Sequence, residues 1–293
     1  MELQGRIEDI RKQGLGLAAI SYDSQEILAA FAKQRGITFP LLSDLGSATI
    51  KRYGILNPVP EWAIGPNAGD PTVQAEAQKY VSVVRPNAAM VGIAFPGTFI
   101  LDRQGRVTAR FFEDFYIERN TVSSIMMRLG NRKDGVAGTK ISTAHFDLTT
   151  YPSDSAVAPG ARIALALDVR PRARMHIYAP GAANYRVIAL KLDPQPFVRT
   201  LPMKYPASEI YHFRPLNERV PVYQKPFTLI QEVVIEGTPQ AQASFRGKES
   251  ITLTGMLEYQ ACDDKICYSP ASIPLSWTLS LRPLVVERPA PRQ

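Results

Sequence analysis

Cysteine is nearly absent: the 293 residues contain two, Cys262 and Cys267. Two thiols with no neighbouring histidine cannot complete the four ligands of a structural zinc site. The three histidines, His145, His176 and His212, are not at metal-ligand spacing from one another, so no metal and no other cofactor is expected. Long hydrophobic runs are also missing. No stretch of 18 or more apolar residues occurs, so no membrane insertion through a helix is expected. Basic clusters with interleaved aromatics are lacking too. The net charge of +7 is scattered along the chain, which argues against nucleic acid as a partner and leaves room for steering an acidic one. Gly14-Leu15-Gly16 is only a fragment of a dinucleotide fingerprint and follows a helical pattern. No signal-peptide pattern opens the sequence, which runs from Met1-Glu2-Leu3 into a charged amphipathic segment.

What is present suits a globular protein of two domains. The apolar fraction is 45% and the charged fraction 21%, both ordinary values. Most of the 24 prolines lie after residue 150, which predicts strands and turns there, because proline is confined to edges, turns and bulges of sheets. The first part carries the helical patterns. Leu3, Ile7 and Ile10 form an apolar stripe ended by Gly14. Leu15 to Tyr22 reads as a buried strand, and Ser24 caps a helix through Lys33 with Ile27, Leu28 and Phe31 on one face. Further helices are expected near Ser47 to Tyr53 and Arg119 to Leu129. Strands are expected at Phe95 to Asp102 and Arg106 to Phe112, while residues 57 to 92 form a weakly patterned insertion holding Trp62. Alternating helices and strands indicate an α/β layer.

Residues 131 to 141, polar and glycine-rich, read as a linker between a first domain at 1 to 130 and a second at 142 to 283. Seven short strands between turn signals are expected in the second: 144–149, 162–170, 176–178, 185–191, 228–235, 251–259 and 273–281. That number and spacing fit an all-β immunoglobulin-like sandwich, with Trp277 in its core. The tail from residue 284 to 293 is expected to be disordered.

The two cysteines lie between two of these strands, in Tyr259-Gln260-Ala261-Cys262-Asp263-Asp264-Lys265-Ile266-Cys267-Tyr268. Period-two alternation on both sides of this polar segment predicts a hairpin, with each cysteine where a strand meets the loop. Closing so short a ring removes about 2 kcal/mol of unfolded-state entropy. Spacing leaves two readings open: a small structural brace, or a pair that cycles between dithiol and disulfide. Asp263 and Asp264 disfavour a thiolate and Lys265 favours it, so local charge does not decide reactivity. His176 and Tyr178 share one strand face. If that face meets the cysteine segment, they are placed to orient or shield the sulfurs. His145 is expected to be structural.

The run YQACDDKICYSPASIPLSW, Tyr259 to Trp277, resembles the cysteine hairpin of the amino-terminal periplasmic domain of the thiol:disulfide interchange protein DsbD. Met175-His176-Ile177-Tyr178-Ala179-Pro180-Gly181 is similar to the aromatic strand beside that hairpin. The resemblance covers roughly residues 142 to 283. It implies an immunoglobulin-like fold and thiol–disulfide exchange by Cys262 and Cys267. It also implies a membrane electron donor, thiol-protein acceptors, a periplasmic or otherwise extracytoplasmic location, and a mobile aromatic cap near Phe213 to Tyr223. Tyr259 and Tyr268 are further candidates for shielding or support.

The first part resembles the peroxiredoxin-like redoxins of the AhpC/TSA group, through Ile20-Ser21-Tyr22-Asp23-Ser24, Phe39-Pro40-Leu41-Leu42-Ser43-Asp44 and Phe95-Pro96-Gly97-Thr98-Phe99-Ile100-Leu101-Asp102. That likeness implies a thioredoxin-like fold with Pro96 in a cis peptide bond. The departure from the group is equally informative: its nucleophilic cysteine follows a central strand, and here no cysteine precedes residue 262. The domain is therefore expected to be incomplete, lacking its first strand and cysteine motif, as in a fragment or a chain with a shifted start. Without a middle strand its neighbours would stand about 10 Å apart. The expected function is an electron relay through Cys262 and Cys267 to thiol/disulfide proteins, the chain's own redoxin domain among them. The alternatives are a non-catalytic binding module with a hairpin brace, and peroxidase activity confined to a longer parent protein.

Overall fold

The computed structural model describes residues 2–65, 68–71, 74, 78, 87–112, 118–130, 138–213 and 217–284. The chain divides into two compact units, Met1–Val122 and Ser123–Gln293.

The first unit is a sparse α/β arrangement. Its elements are α1 (Glu2–Gly5), α2 (Ile7–Lys12), β1 (Ala19–Ser21), α3 (Gln25–Arg35), β2 (Leu41–Ser43), α4 (Ala48–Arg52), α5 (Val59–Ile64), β3 (Gly97–Leu101), β4 (Val107–Phe112) and β5 (Arg119–Asn120). The capping signals in the sequence act as expected at α3. Ser24 Oγ accepts from the Ile27 amide at 3.4 Å, and Gly36 closes the helix in the left-handed region at φ 62°. At α4, Asp44 accepts from the amides of Thr49 and Ile50 at 3.0 and 2.8 Å, which holds its carboxyl below the usual carboxylate range.

The sheet is incomplete. β1 and β2 form a two-stranded parallel ladder, β3 and β4 a separate antiparallel one, and no described ladder joins the two pairs. Of the apolar face expected on α3, Leu28 is buried whereas Ile27 and Phe31 are exposed, because a two-stranded sheet offers too narrow a surface to cover a helix face. The Phe95–Pro96 bond is trans, not cis as expected, since no described peptide bond is cis. Trans is the default for X–Pro bonds, and the chain has no cysteine in this unit for a cis loop to face.

The helix expected at Arg119 to Leu129 is shorter, α6 (Val122–Arg128), with β5 before it. The rest of the second unit is β-rich: β6 (Thr139–Ser142), β7 (Phe146–Pro152), β8 (Ala156–Val157), β9 (Ala161–Pro171), β10 (His176–Tyr178), β11 (Ala189–Leu192), β12 (Val198–Thr200), β13 (Glu209–Phe213), β14 (Glu218–Tyr223), β15 (Phe227–Ile235), β16 (Ser250–Tyr259), β17 (Ala261–Cys262) and β18 (Ala271–Leu281), with α7 (Pro239–Phe245) before β16. β12-β15-β9-β7-β6 run side by side in one sheet and β11-β16-β18-β8 in another. Their facing residues, among them Phe146, Leu165, Leu167, Leu229, Leu253, Leu257 and Trp277, form one core. β18 shows why they do: Ile273, Leu275, Trp277 and Leu279 are buried in strict alternation with exposed neighbours. Trp277 Nε1 donates to Thr150 Oγ1 at 3.0 Å, tying β18 to β7. This is the immunoglobulin-like sandwich, and the buried areas of its strands carry its stability.

A third sheet, β13-β14-β10-β17, has no counterpart in the strand pattern of the sequence beyond residues 176–178. Part of the expected linker is strand β6, while 131–137 lie outside the described residues, as do 285–293 of the tail. The strand expected at 185–191 begins only at Ala189. Gly181 and Asn184, at φ 96° and 64°, first turn the chain after β10.

Candidate functional site

The third sheet brings the cysteines to their neighbours. β16 and β18 pair as the hairpin arms, from Ser250 opposite Ser280 to Tyr259 opposite Ala271. The segment between them leaves that ladder: β17 pairs antiparallel with β10, placing Cys262 opposite His176 and Ala261 opposite Ile177. The cysteines thus lie beyond the hairpin arms, Cys262 in a different sheet from the one the alternation predicts and Cys267 opposite it in an isolated bridge. A two-residue strand is too short to show a period.

Cys262 and Cys267 are joined by a disulfide. Asp263 shapes the loop between them. Its Oδ1 accepts from the Lys265 and Ile266 amides, both at 2.7 Å, and its Oδ2 from the Tyr268 hydroxyl at 3.0 Å. These amide bonds hold the Asp263 carboxyl below its usual range and make the loop an Asx turn. The two sulfurs differ in access: Cys262 is fully buried and Cys267 is exposed.

Tyr178 meets both sulfurs. Its hydroxyl lies 2.9 Å from Cys262 Sγ and 3.4 Å from Cys267 Sγ, and a disulfide has no proton to give, so the phenol donates. The Tyr178 ring stacks on Tyr185 with centroids 3.9 Å apart, and Tyr185 donates to Glu218 Oε2 at 2.5 Å. Burial first, then Tyr185 and Glu218, push the Tyr178 phenol well above its ordinary range, so it stays a proton donor at any physiological pH.

His176, on the same strand face as Tyr178, is 1% exposed, and its Nδ1 has no hydrogen-bond partner among the described residues. Its ring lies 4.3 Å from that of Tyr211 and 5.9 Å, edge-on, from that of Tyr178. Tyr211 in turn donates to Asp264 Oδ1 at 3.2 Å. Burial pushes the His176 imidazole down, against the opposing pull of Asp264 and Asp263.

The other expected residues sit further off. Tyr259 belongs to the sandwich core, packs on Phe146 and bonds His145 Nδ1 through its hydroxyl at 3.1 Å. Tyr268 braces the loop through Asp263 and lies against the His145 ring. Phe213 and Tyr223, expected as part of a cap, lie on β13 and β14; 214–216 fall outside the described residues. Tyr223 instead points into the sandwich, stacked on Phe227 and bonded to the Pro206 carbonyl, because on β14 it faces opposite to its neighbour Val222. Phe213 touches Tyr211 rather than the sulfurs. The residues that sequence reasoning missed are Tyr185 and Glu218. Pro180-Gly181 is the one signal that the chain folds back after Tyr178 and returns a second tyrosine to it.

No cluster of His, Cys, Asp or Glu among the described residues could hold a metal ion, and no described helix is long and apolar enough to cross a membrane.

Comparison with known proteins follows the same division. Residues 1–110 match the model of the AhpC/TSA family. Residues 149–273 match that of the thiol:disulfide interchange protein DsbD, N-terminal. No curated protein matches the chain. Among solved structures, the N-terminal periplasmic domain of ScsB from Proteus mirabilis is similar at 12% identity, with a TM-score of 0.35 over 50% of this chain. The match spans 51% of that domain's chain. Similarity to known families thus divides the chain in two, with residues 1–110 similar to the AhpC/TSA family and residues 149–273 similar to the DsbD amino-terminal domain.

Proposed function

We propose that the protein carries out thiol–disulfide exchange through Cys262 and Cys267, as an electron relay between thiol/disulfide proteins. The observation that carries this reading is the asymmetry of the pair: one sulfur is exposed, and the other is buried with a phenol hydroxyl 2.9 Å away. An incoming thiolate has access to Cys267 Sγ. Its attack breaks the Cys262–Cys267 bond, forms a mixed disulfide at Cys267, and releases Cys262 as the leaving thiolate. The Tyr178 hydroxyl stabilises that charge as it forms. The partner's second thiol then resolves the mixed disulfide, leaving the partner oxidised and the pair reduced. Run in reverse, Cys267 attacks a partner disulfide and Cys262 resolves it. We assign this chemistry to a domain of about residues 142 to 283, and the DsbD family match supports an extracytoplasmic setting and a membrane electron donor. The redoxin segment, which has no cysteine of its own, is a candidate acceptor only in a longer protein.

The deciding experiment is a redox titration of the pair against glutathione or dithiothreitol buffers. A potential of about −200 to −250 mV supports exchange. A value well below about −300 mV would leave a hairpin brace in a non-catalytic binding module.

A further inference from the structure

We propose that His176 accepts the proton of Cys262 when the pair is reduced, so that Cys262 rests as a thiolate beside an imidazolium. The inference rests on the exchange reading above and adds the group that handles its proton. Cys262 and His176 are register partners on β17 and β10, so their side chains leave the same face of the sheet with β-carbons about 5 Å apart. Tyr178, two residues along the same strand, reaches Cys262 Sγ at 2.9 Å from that face. The His176 ring is 1% exposed, yet its Nδ1 has no partner among the described residues. A buried polar atom left without a partner is costly. It is accounted for if a partner arrives in the other redox state. A thiol proton supplies one.

Among the described residues, few groups face the ring. They are the hydroxyls of Tyr178 on β10 and Tyr211 on β13, with Cys262, Asp263 and Asp264 on β17 and the loop after it. Both carboxylates favour a positive ring, whereas no cation is among these neighbours. In the oxidised state burial outweighs them and favours the neutral imidazole. The new sulfur charge reverses that balance. The chemistry closes: a partner dithiol gives two electrons to the Cys262–Cys267 bond and becomes a disulfide. Of its two protons, one ends on Cys267 sulfur and the other on His176.

The test uses the full chain, oxidised and then reduced with dithiothreitol. Imidazole titration is followed by NMR, and thiolate by absorbance at 240 nm, from pH 5 to 9. The inference expects the His176 midpoint to rise by at least a full pH unit on reduction. It also expects His176→Gln to move the thiolate midpoint to at least tenfold lower proton concentration. An unchanged His176 midpoint in the wild-type chain overturns the inference even if the variant does not fold. If dithiothreitol cannot reduce the folded pair, the exchange reading fails and this inference with it. Normal reduction with an unmoved His176 sinks the inference alone.

Discussion

Cys262 is fully buried while Cys267, bonded to it across a four-residue loop, is exposed. The two sulfurs therefore differ in what can reach them, and single replacements separate their roles. Cys262→Ser leaves an exposed thiol, and Cys267→Ser a buried one. We expect iodoacetamide to label the first at least about tenfold faster than the second, read by mass spectrometry, since reactivity follows thiolate access. Equal rates would show that the loop opens readily and that the burial difference is irrelevant.

Tyr178→Phe removes the hydroxyl that touches both sulfurs and keeps the ring stacked on Tyr185. A hydrogen bond to a charged group is worth about 1.5–3 kcal/mol, and about 30 mV corresponds to 1.4 kcal/mol for this two-electron couple. The variant should therefore be about 30 mV or more harder to reduce at pH values where the thiolate is populated. An unchanged potential would reduce the phenol to a packing group.

The pH dependence of stability should follow His176, which is buried, and His145, which is half-buried. Burial lowers the imidazoles of both His176 and His145 from the ordinary value of 6.5. The unfolded chain then binds protons that the folded oxidised chain refuses, so stability declines as pH falls below about 6.5. The decline ends once the folded values are passed. Urea midpoints between pH 5 and 8 measure it. His176→Gln should flatten the slope, whereas a slope that persists undiminished would assign the effect to other groups.

Glu232, 1% exposed, is bonded by Arg128 at 2.5 Å, Arg162 at 3.1 Å and Lys204 at 3.1 Å. Burial raises its carboxyl, but the two arginines and the lysine outweigh that and hold it low. A depressed carboxyl stabilises the fold above its ordinary value of 4.5, and that contribution is lost as pH falls through the folded value. Glu232→Ala removes the carboxylate on which the mostly buried arginines converge and should cost about 3 kcal/mol at neutral pH. A loss under about 1 kcal/mol by urea unfolding would mean that solvent reaches the cluster.

The redoxin segment should consume no hydrogen peroxide. A coupled assay on the Cys262→Ser, Cys267→Ser double variant checks this, and activity surviving both replacements would reveal a centre without sulfur.

The sandwich was legible because its arms keep time: Ile273, Leu275, Trp277 and Leu279 announce β18 by alternation alone, and Ser24 announces α3 by its capping chemistry. The site was only half legible. His176 and Tyr178 share a strand face and were readable as a pair. Tyr185 and Glu218 reach that pair through a left-handed turn and a third sheet, and both depend on contacts distant in sequence. Strand β13 shows the difficulty, since Ile210 is 66% exposed and breaks the apolar rhythm that marks a strand. The trans bond at Pro96 shows the opposite failing, where likeness to a family outran what the chain itself demands.

Asp263 fastens the loop to its own backbone amides, independently of the covalent link between its ends. Opening that link therefore need not melt the turn, and both oxidation levels can share one scaffold. An electron carrier built this way would spend its cycles on bond exchange alone, with refolding left out of each turnover.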